Sequence, residues 1–372
     1  MFSKGTPKEE LGATKNRFEL AKALTELGWE VSILGSRELG LSPTEINVEV
    51  YGDALKNFLL LNADKFDVVL YDFDALPYDR NLFNRKTLFV GRPALLVDHF
   101  KSIKVPIPLI EVIKNYVRPF FKRRSNIQKV VNYKTLQQCD LIQVQNSLDK
   151  ELLIKKGMSG DKIVIIPNGI SNERMQDFSN AYFNRADQDS IKFVFVGTFD
   201  YRKGMTDIIW LFKKLTEKYS DCSLKLLGTK GLFRTAEEVY SFFPKKLQKR
   251  IEVIPDYKTN ELPGLLEDCH IGIFPSYLES FGYGALEMMA AGIPTLTYCI
   301  PGPCDFVPKE LQIAVGDKKR MLKEIVKIVE DKALRKDLSL KVNTIAKEYS
   351  MDKVGNIAHS YYLDFKNKLL NS

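Results

Sequence analysis

Two carboxylates, Glu279 and Glu287, flank a glycine pair in the run Glu279-Ser-Phe-Gly-Tyr-Gly-Ala-Leu-Glu287. The preceding run, His270-Ile-Gly-Ile-Phe-Pro-Ser276, reads as a short buried strand ended by Pro275. Ala285 to Ala291 is a good helix former, and it stops at Gly292 with Pro294 just beyond. Glu279 therefore belongs on the loop leaving a strand, Gly282 and Gly284 at a helix start, and Glu287 about one turn in. A helix N-terminus presents unpaired N–H groups and a partial positive charge, which suits phosphate. Glycines there let a ligand approach the backbone closely. A carboxylate one turn along can take two hydrogen bonds from a ribose diol, and the one on the loop can reach a sugar hydroxyl. The arrangement fits a nucleotide-sugar. By itself a glutamate pair at this spacing is a weak signal, equally met by two side chains facing solvent.

The elements around these residues alternate between strand and helix, which argues for parallel α/β organisation. Phe18 to Leu27 reads as an amphipathic helix closed by Gly28, followed by a strand at Glu30–Leu34. Phe66–Tyr71, Ala94–Asp98, Leu141–Gln145 and Lys162–Ile166 read as further buried strands. From Ser171 to Ser190 the chain turns polar and loses periodicity, the composition of a linker. A second series follows at Ile191–Val196, Ser223–Leu227, Ile251–Ile254, Ile271–Phe274 and Thr295–Tyr298, and Val354–Leu370 reads as a terminal helix. The expected division is 1–171 as an N-terminal α/β domain, 172–190 as linker, 191–350 as a second α/β domain and 351–372 as the terminal helix. Ligands bind outside the carboxyl ends of such strands.

Bulk properties agree with two domains of ordinary size in 372 residues. A hydrophobic content of 45% against 27% charged is that of a soluble globular protein. No apolar run approaches the ~20 residues needed to span a bilayer, and the N-terminus lacks the apolar core of a signal peptide. Five cysteines without C-x-x-C pairing and three histidines form no metal-ligand cluster. The default expectation is a cytoplasmic protein with reduced thiols and no metal. The net charge of +8 suits nucleic acid, an anionic membrane or a phosphorylated substrate without choosing among them.

The segment from Pro275 to Pro294 resembles the donor-binding motif of retaining GT-B glycosyltransferases of family GT4. The matching residues are Pro275, Ser276, Glu279, Phe281, Gly282, Glu287, Met289, Ala290, Gly292 and Pro294. Gly12-Ala-Thr-Lys-Asn-Arg17 looks like the family's glycine loop and first helix, Val164–Ile170 like the end of its N-terminal domain, and Phe195–Gly204 like its phosphate loop. The resemblance implies a GT-B fold, with two Rossmann-like domains whose parallel sheets face across a cleft. It also implies roles. Arg202 and Lys203 would neutralise the diphosphate, a guanidinium binding it bidentately, with backbone N–H groups of Phe281, Gly282, Tyr283 and Gly284. Glu287 would bind ribose, Glu279 would bind and orient the sugar, and His99, after the strand expected at Ala94–Asp98, would contact its far side. His270 and His359 read as structural.

Three departures stand out. Thr198 follows Gly197 where many relatives have Arg, leaving Arg202 to supply the second cation. Leu11 replaces the first glycine of the loop at Gly12. The usual opening strand is also missing, because the chain begins inside the loop that should follow it. A gap beside Glu30–Leu34 would leave ladder groups unpaired, and a start at an internal Met is the preferred explanation. Lys114–Arg124 mixes aromatics with five cations. It suits peripheral contact with an anionic membrane at ~1 kcal/mol per basic residue as well as it suits a solvated loop. Nucleic acid is not expected, since no RNA-binding motif accompanies the charge.

The leading expectation is a retaining, metal-independent hexosyltransferase, with a nucleoside diphosphate sugar as co-substrate, no cofactor, and a glycan or glycolipid hydroxyl as acceptor. The alternatives are a GT-B nucleotide-sugar epimerase and a non-catalytic partner protein that keeps the fold.

Overall fold

A computed structural model describes residues 1–2, 12–42, 48–72, 78–93, 95–96, 98–99, 103–107, 133–184 and 190–371. The chain divides into two compact units. The first comprises Met1–Leu96, Pro108–Gly169 and Met351–Ser372, and the second Val97–Ile107 and Ile170–Ser350.

The first unit is built on a parallel sheet in the order β1 (Val68–Asp72), β2 (Leu88–Arg92), β3 (Leu141–Val144), β4 (Ile163–Ile165). Its strands are apolar at successive positions because both faces are covered. Val69 and Tyr71 join Phe89, Ile142 and the helix residues Tyr51, Leu55 and Leu59 on one face. Leu70 joins Leu88, Val90 and Leu141 on the other, with Leu20 and Leu24 and, from the C-terminal helix Met351–Leu370, Val354, Ala358 and Tyr362. The terminal helix is thus part of this unit. Tyr362 donates to Gln143 Oε1 at 2.6 Å.

Two strand expectations fail here. Leu95, Leu96 and Asp98, the described residues of the run 94–98, are in no strand: the strand is β2, six residues earlier, and Pro93 ends it by removing a donor. Residues 29–33 carry no strand pairing among the described residues, and Leu34 forms a bridge to Phe2. The reason lies in the neighbour: a strand exists only where another chain segment supplies its ladder.

The second unit carries a parallel sheet of six strands, β5 (Lys192–Val196), β6 (Ser223–Leu227), β7 (Ile251–Ile254), β8 (Ile271–Phe274), β9 (Thr295–Tyr298) and β10 (Gln312–Ile313). Their spatial order is β10-β9-β8-β5-β6-β7. From β5 the connections run one way through β6 and β7, then return to β8 on its other side. The loops leaving β5 and β8 therefore diverge at a topological switch point, where such sheets open a crevice.

The polar stretch expected as a linker at 172–190 is, through residue 184, the helix Asn172–Asn184. Met175, Phe178 and Ala181 recur at a spacing of three and are buried in the core of the second unit. Tertiary burial of this narrow stripe outweighs the polar average of the segment.

Candidate functional site

At the switch point the loop after β5 meets the loop after β8. Gly204 ends the first loop at φ +79°, and a Cβ there would lie 2.1 Å from the carbonyl oxygen of Pro275. Only glycine lets the two backbones close to this distance. The Tyr277 N–H donates to the Arg202 carbonyl at 2.8 Å, and Arg202 Nη1 donates to the Leu278 carbonyl at 2.9 Å. The two loops form one hydrogen-bonded unit.

Glu279 sits inside that unit. It is 7% exposed, and its Oε1 accepts from Lys203 Nζ at 2.5 Å and from Ser276 Oγ at 2.7 Å. Arg202 Nη1 stands 3.9 Å from Oε2. Three expected site residues, Arg202, Lys203 and Glu279, are thus brought together, with Ser276 as a fourth member. Lys203 also stands 5.8 Å from the centroid of the Phe274 ring, so its ammonium is held from two sides. The loop is braced from below by Asp207, a buried carboxylate in the first turn of the helix Met205–Lys218. It accepts from Tyr277 at 2.6 Å and from Tyr298 at 2.8 Å. Burial and the adjacent carboxylate push both phenols upward, so each remains a donor.

The helix Tyr283–Ala290 starts at Gly282, which has φ +87°. Gly284 faces the carbonyl end of β5: a Cβ there would lie 2.2 Å from the Val196 oxygen. Its glycine is needed for helix–sheet approach, and this seats the helix N-terminus beside the loop after β5. The Phe281 ring is buried against Phe306, Tyr349 and Tyr283, leaving its backbone as the part available to a ligand.

Glu287 lies one turn into the helix and accepts from Arg174 at 2.5 Å, both side chains being largely covered. Tyr257 stands close by: burial first, then the charge of Glu287, raise its phenol pKa. The Tyr257 ring also lies 3.2 Å from where a Cβ of Gly228, at the end of β6, would be. Arg174 and Tyr257 escaped sequence reasoning. The signal for Arg174 was the Met175–Phe178–Ala181 stripe beside it; for Tyr257 it was an aromatic three residues past β7.

His99 lies in a helical turn, half-buried, in the 97–107 stretch that belongs to the second unit. It follows β2 by seven residues. Gly12 is the first residue of the helix Gly12–Glu26 rather than a loop residue. The basic run 114–124 lies outside the described residues. His270 accepts from the Lys192 N–H at 3.1 Å and His359 from Trp29 Nε1 at 2.9 Å, both structural contacts. Among the described residues no group of three His, Cys, Asp or Glu could hold a metal ion, and no helix is long and apolar enough to cross a membrane. The expectation of reduced thiols is corrected at one place. Cys299 and Cys304 are disulfide-bonded, because the turn Ile300–Pro303 folds back and leaves their Cα atoms 5.1 Å apart.

Comparison with known proteins agrees with this construction. Residues 179–343 match the family described as "Glycosyl transferases group 1". An uncharacterized glycosyltransferase of Bacillus subtilis, YqgM, is 27% identical over 184 residues, which is 47% of this chain and 48% of that protein. The match thus spans about half the length of this curated relative. Among solved structures, sucrose-phosphate synthase from Thermosynechococcus elongatus superposes with a TM-score of 0.74 at 16% identity, covering 98% of this chain and 97% of the other. Anabaena HepE, solved with UDP and glucose, superposes at 0.64 with 13% identity, covering 97% and 98%. The fold is GT-B, with two Rossmann-like α/β domains and parallel sheets, and residues 179–343 are similar to the glycosyl transferases group 1 family.

Proposed function

We propose that this protein is a retaining glycosyltransferase that moves a hexose from a nucleoside diphosphate sugar to a hydroxyl of a glycan or glycolipid. The observation that carries this reading is the convergence of Arg202, Lys203, Ser276 and Glu279 at the β5–β8 switch point, beside the N-terminus of the helix Tyr283–Ala290. Two cations and a helix N-terminus at one crevice suit a diphosphate.

In this reading Arg202 and Lys203 take the diphosphate, with the backbone N–H groups of Phe281 to Gly284, and offset its charge as it leaves. Glu287 receives the ribose hydroxyls, Glu279 orients the hexose, and His99 contacts the far side of the sugar. The bond from C1 to the diphosphate breaks, the acceptor oxygen bonds C1 on the same face, and the acceptor proton passes to the leaving phosphate. The pairing of Lys203 with Glu279 has a consequence: the ammonium that meets the phosphate is already tied to the carboxylate that meets the sugar. Both ends of the donor are then read by one hydrogen-bonded pair. Donor chemistry runs without a metal ion, the protein works in the cytoplasm, and the run 114–124 rests on an anionic membrane that holds a lipid-borne acceptor.

Titration calorimetry with UDP, GDP and ADP tests the reading. One nucleotide is expected to bind, and Glu287→Ala is expected to weaken it by about 1.5–3 kcal/mol per lost charge-assisted bond while the protein stays folded. Turnover of the matching donor should persist in a chelator. Unchanged nucleotide affinity in folded Glu287→Ala, or activity lost in chelator and restored by a divalent ion, would overturn it.

A further inference from the structure

The disulfide closes a turn that rests on the N-terminus of the helix Tyr283–Ala290. Cys299 is the first residue past β9, and its N–H donates to the Ile313 carbonyl of β10 at 2.8 Å. Cys304 is the second residue of the short helix Pro303–Phe306. Between them Gly302, at φ +86°, lies on the backbone of Phe281: a Cβ there would stand 2.1 Å from the Phe281 oxygen. The contact is repeated from the other side, where a Cβ on Gly282 would stand 2.9 Å from Pro303 Cγ. The Phe306 ring centroid lies 5.4 Å from that of Phe281. Turn and loop thus meet through two glycine backbones and a ring pair, and close packing carries a displacement of the turn to Phe281 and Gly282.

Cys299 is exposed and Cys304 half-buried, whereas Cys139, Cys222 and Cys269 are buried free thiols. Thiol chemistry from solution therefore reaches this pair first. Opening the bond leaves the turn with its own hydrogen bonds. The Cys304 N–H donates to the Ile300 carbonyl at 3.1 Å and the Asp305 N–H to the Gly302 carbonyl at 2.9 Å. Gln312 Nε2 donates to the Cys304 carbonyl at 3.0 Å and to the Val307 carbonyl at 2.6 Å. Reduction loosens the turn and spares the fold, as reversibility requires. In the cytoplasm, where the reading above puts the protein, disulfides are transient or redox-sensing rather than permanent staples.

We propose that Cys299 and Cys304 form a thiol–disulfide switch that sets the order of the 281–284 backbone and, through it, nucleotide affinity; the second half rests on the donor reading above. The reducing partner is a dithiol. Its thiolate attacks the exposed Cys299 sulfur, the S–S bond breaks, and Cys304 leaves as a thiolate that takes a proton. The partner's second thiolate then attacks its own sulfur in the mixed disulfide. Cys299 leaves and is protonated, and the partner ends as a disulfide, so two electrons and two protons have passed to the protein. The disulfide form keeps the helix N-terminus preorganised and binds tightly. The dithiol form must order it on binding and binds more weakly.

The test compares the full chain in three forms: oxidised, reduced with dithiothreitol, and as the Cys299→Ser/Cys304→Ser variant. Iodoacetamide applied to the native protein should label neither residue in the first form and both in the second, with the three buried thiols untouched. Amide hydrogen exchange at residues 281–286 should be about threefold or more faster in the reduced and serine forms. Whichever of UDP, GDP and ADP binds the oxidised form should bind these two about tenfold more weakly. Glutathione disulfide should return the reduced wild type to the tight state and leave the serine variant as it was. Nucleotide affinity equal in all three forms would overturn the proposal, as would thiols that stay free in glutathione disulfide. Faster exchange on reduction with no nucleotide bound by any form would keep the coupling and overturn the reading of these amides as a phosphate site.

Discussion

The two units use the same parallel α/β construction and differ in how completely their sheets are filled. In the second, β5 is paired on both sides, by β6 and β8, and the loops leaving β5 and β8 are hydrogen-bonded to one another. In the first, among the described residues, β1 is paired along its length by β2 alone, and on its other side the Phe2 N–H donates to the Leu70 carbonyl beside a cavity. A site that must hold cations and carboxylates within hydrogen-bond distance needs strands anchored on both edges, since an unanchored loop loses geometry first. The chemistry-bearing residues accordingly concentrate in the unit whose central strand is enclosed.

The largest expected effect comes from one glycine in each unit. Gly204→Ala forces a left-handed alanine against the Pro275 carbonyl. It should cost about 3–5 kcal/mol from strain and overpacking together and abolish turnover. Gly28→Ala meets the same backbone strain, at φ +90°, with nothing within 4 Å, and should cost only about 1–2 kcal/mol. Denaturant melts of the two variants measure the difference, and equal losses would refute the enclosed-loop account.

Next comes a pair of ion-pair deletions. Lys203→Met leaves the buried Glu279 carboxylate with the Ser276 hydroxyl and, at 3.9 Å, the Arg202 guanidinium, and should cost about 1.5–3 kcal/mol of stability. Turnover should fall by about 100-fold or more. Lys203 is only 15% exposed, so its loss is felt in folding as well as in turnover. In the first unit Arg80 binds Asp140 at 2.9 Å to both oxygens, and Asp140 also accepts from the Phe89 N–H. Arg80→Met should cost similar stability and leave kcat of the folded fraction unchanged. Parallel melts and single-turnover assays separate the two outcomes.

A smaller effect is expected at Arg174. It holds Glu287 by one hydrogen bond, so Arg174→Ala should weaken nucleotide binding about tenfold. At saturating donor kcat should stay near the wild-type value. A fall in kcat with unchanged KM would place Arg174 in the reaction rather than behind Glu287.

The smallest effect concerns Asp268, at the start of the approach to β8. Burial alone would raise its pKa, but hydrogen bonds from Lys192 and Lys225 outweigh it and lower the value from 3.8 to about 2. A depressed carboxylate contributes stability that is fully present above about pH 4 and is lost as pH falls toward 2. Asp268 is more than a third exposed, so the contribution is discounted to about 0–1 kcal/mol. The difference between wild type and Asp268→Asn in melts at pH 6 and pH 2.5 should be smaller at the lower pH.

Much of the second unit was legible in the sequence because its signals are local. Pro275, Gly282, Gly284 and Gly292 punctuate strand, turn and helix in chain order, and all five strands expected from Ile191 to Tyr298 are present. Less of the first unit was legible. Thr87-Leu-Phe-Val-Gly-Arg92 is as apolar as Ala94–Asp98, and periodicity does not choose between two adjacent apolar runs. The strand at 30–34 was misread for another reason: its residues suit a strand, but among the described residues only Leu34 forms a bridge, to Phe2.

The sequence by itself determined the alternation of elements, the helix start at Gly282 with Glu287 one turn along, and the residue types that meet at the site. These depend on backbone conformation and side-chain period, which act over a few residues. Only the tertiary structure decided that Glu279 is held by Lys203 and Ser276, that Glu287 is held by Arg174 across 113 positions of chain, and that 172–184 is a helix of the second unit. Each is a matter of which distant segments arrive at one place, and burial and pairing, summed over the whole unit, decide that.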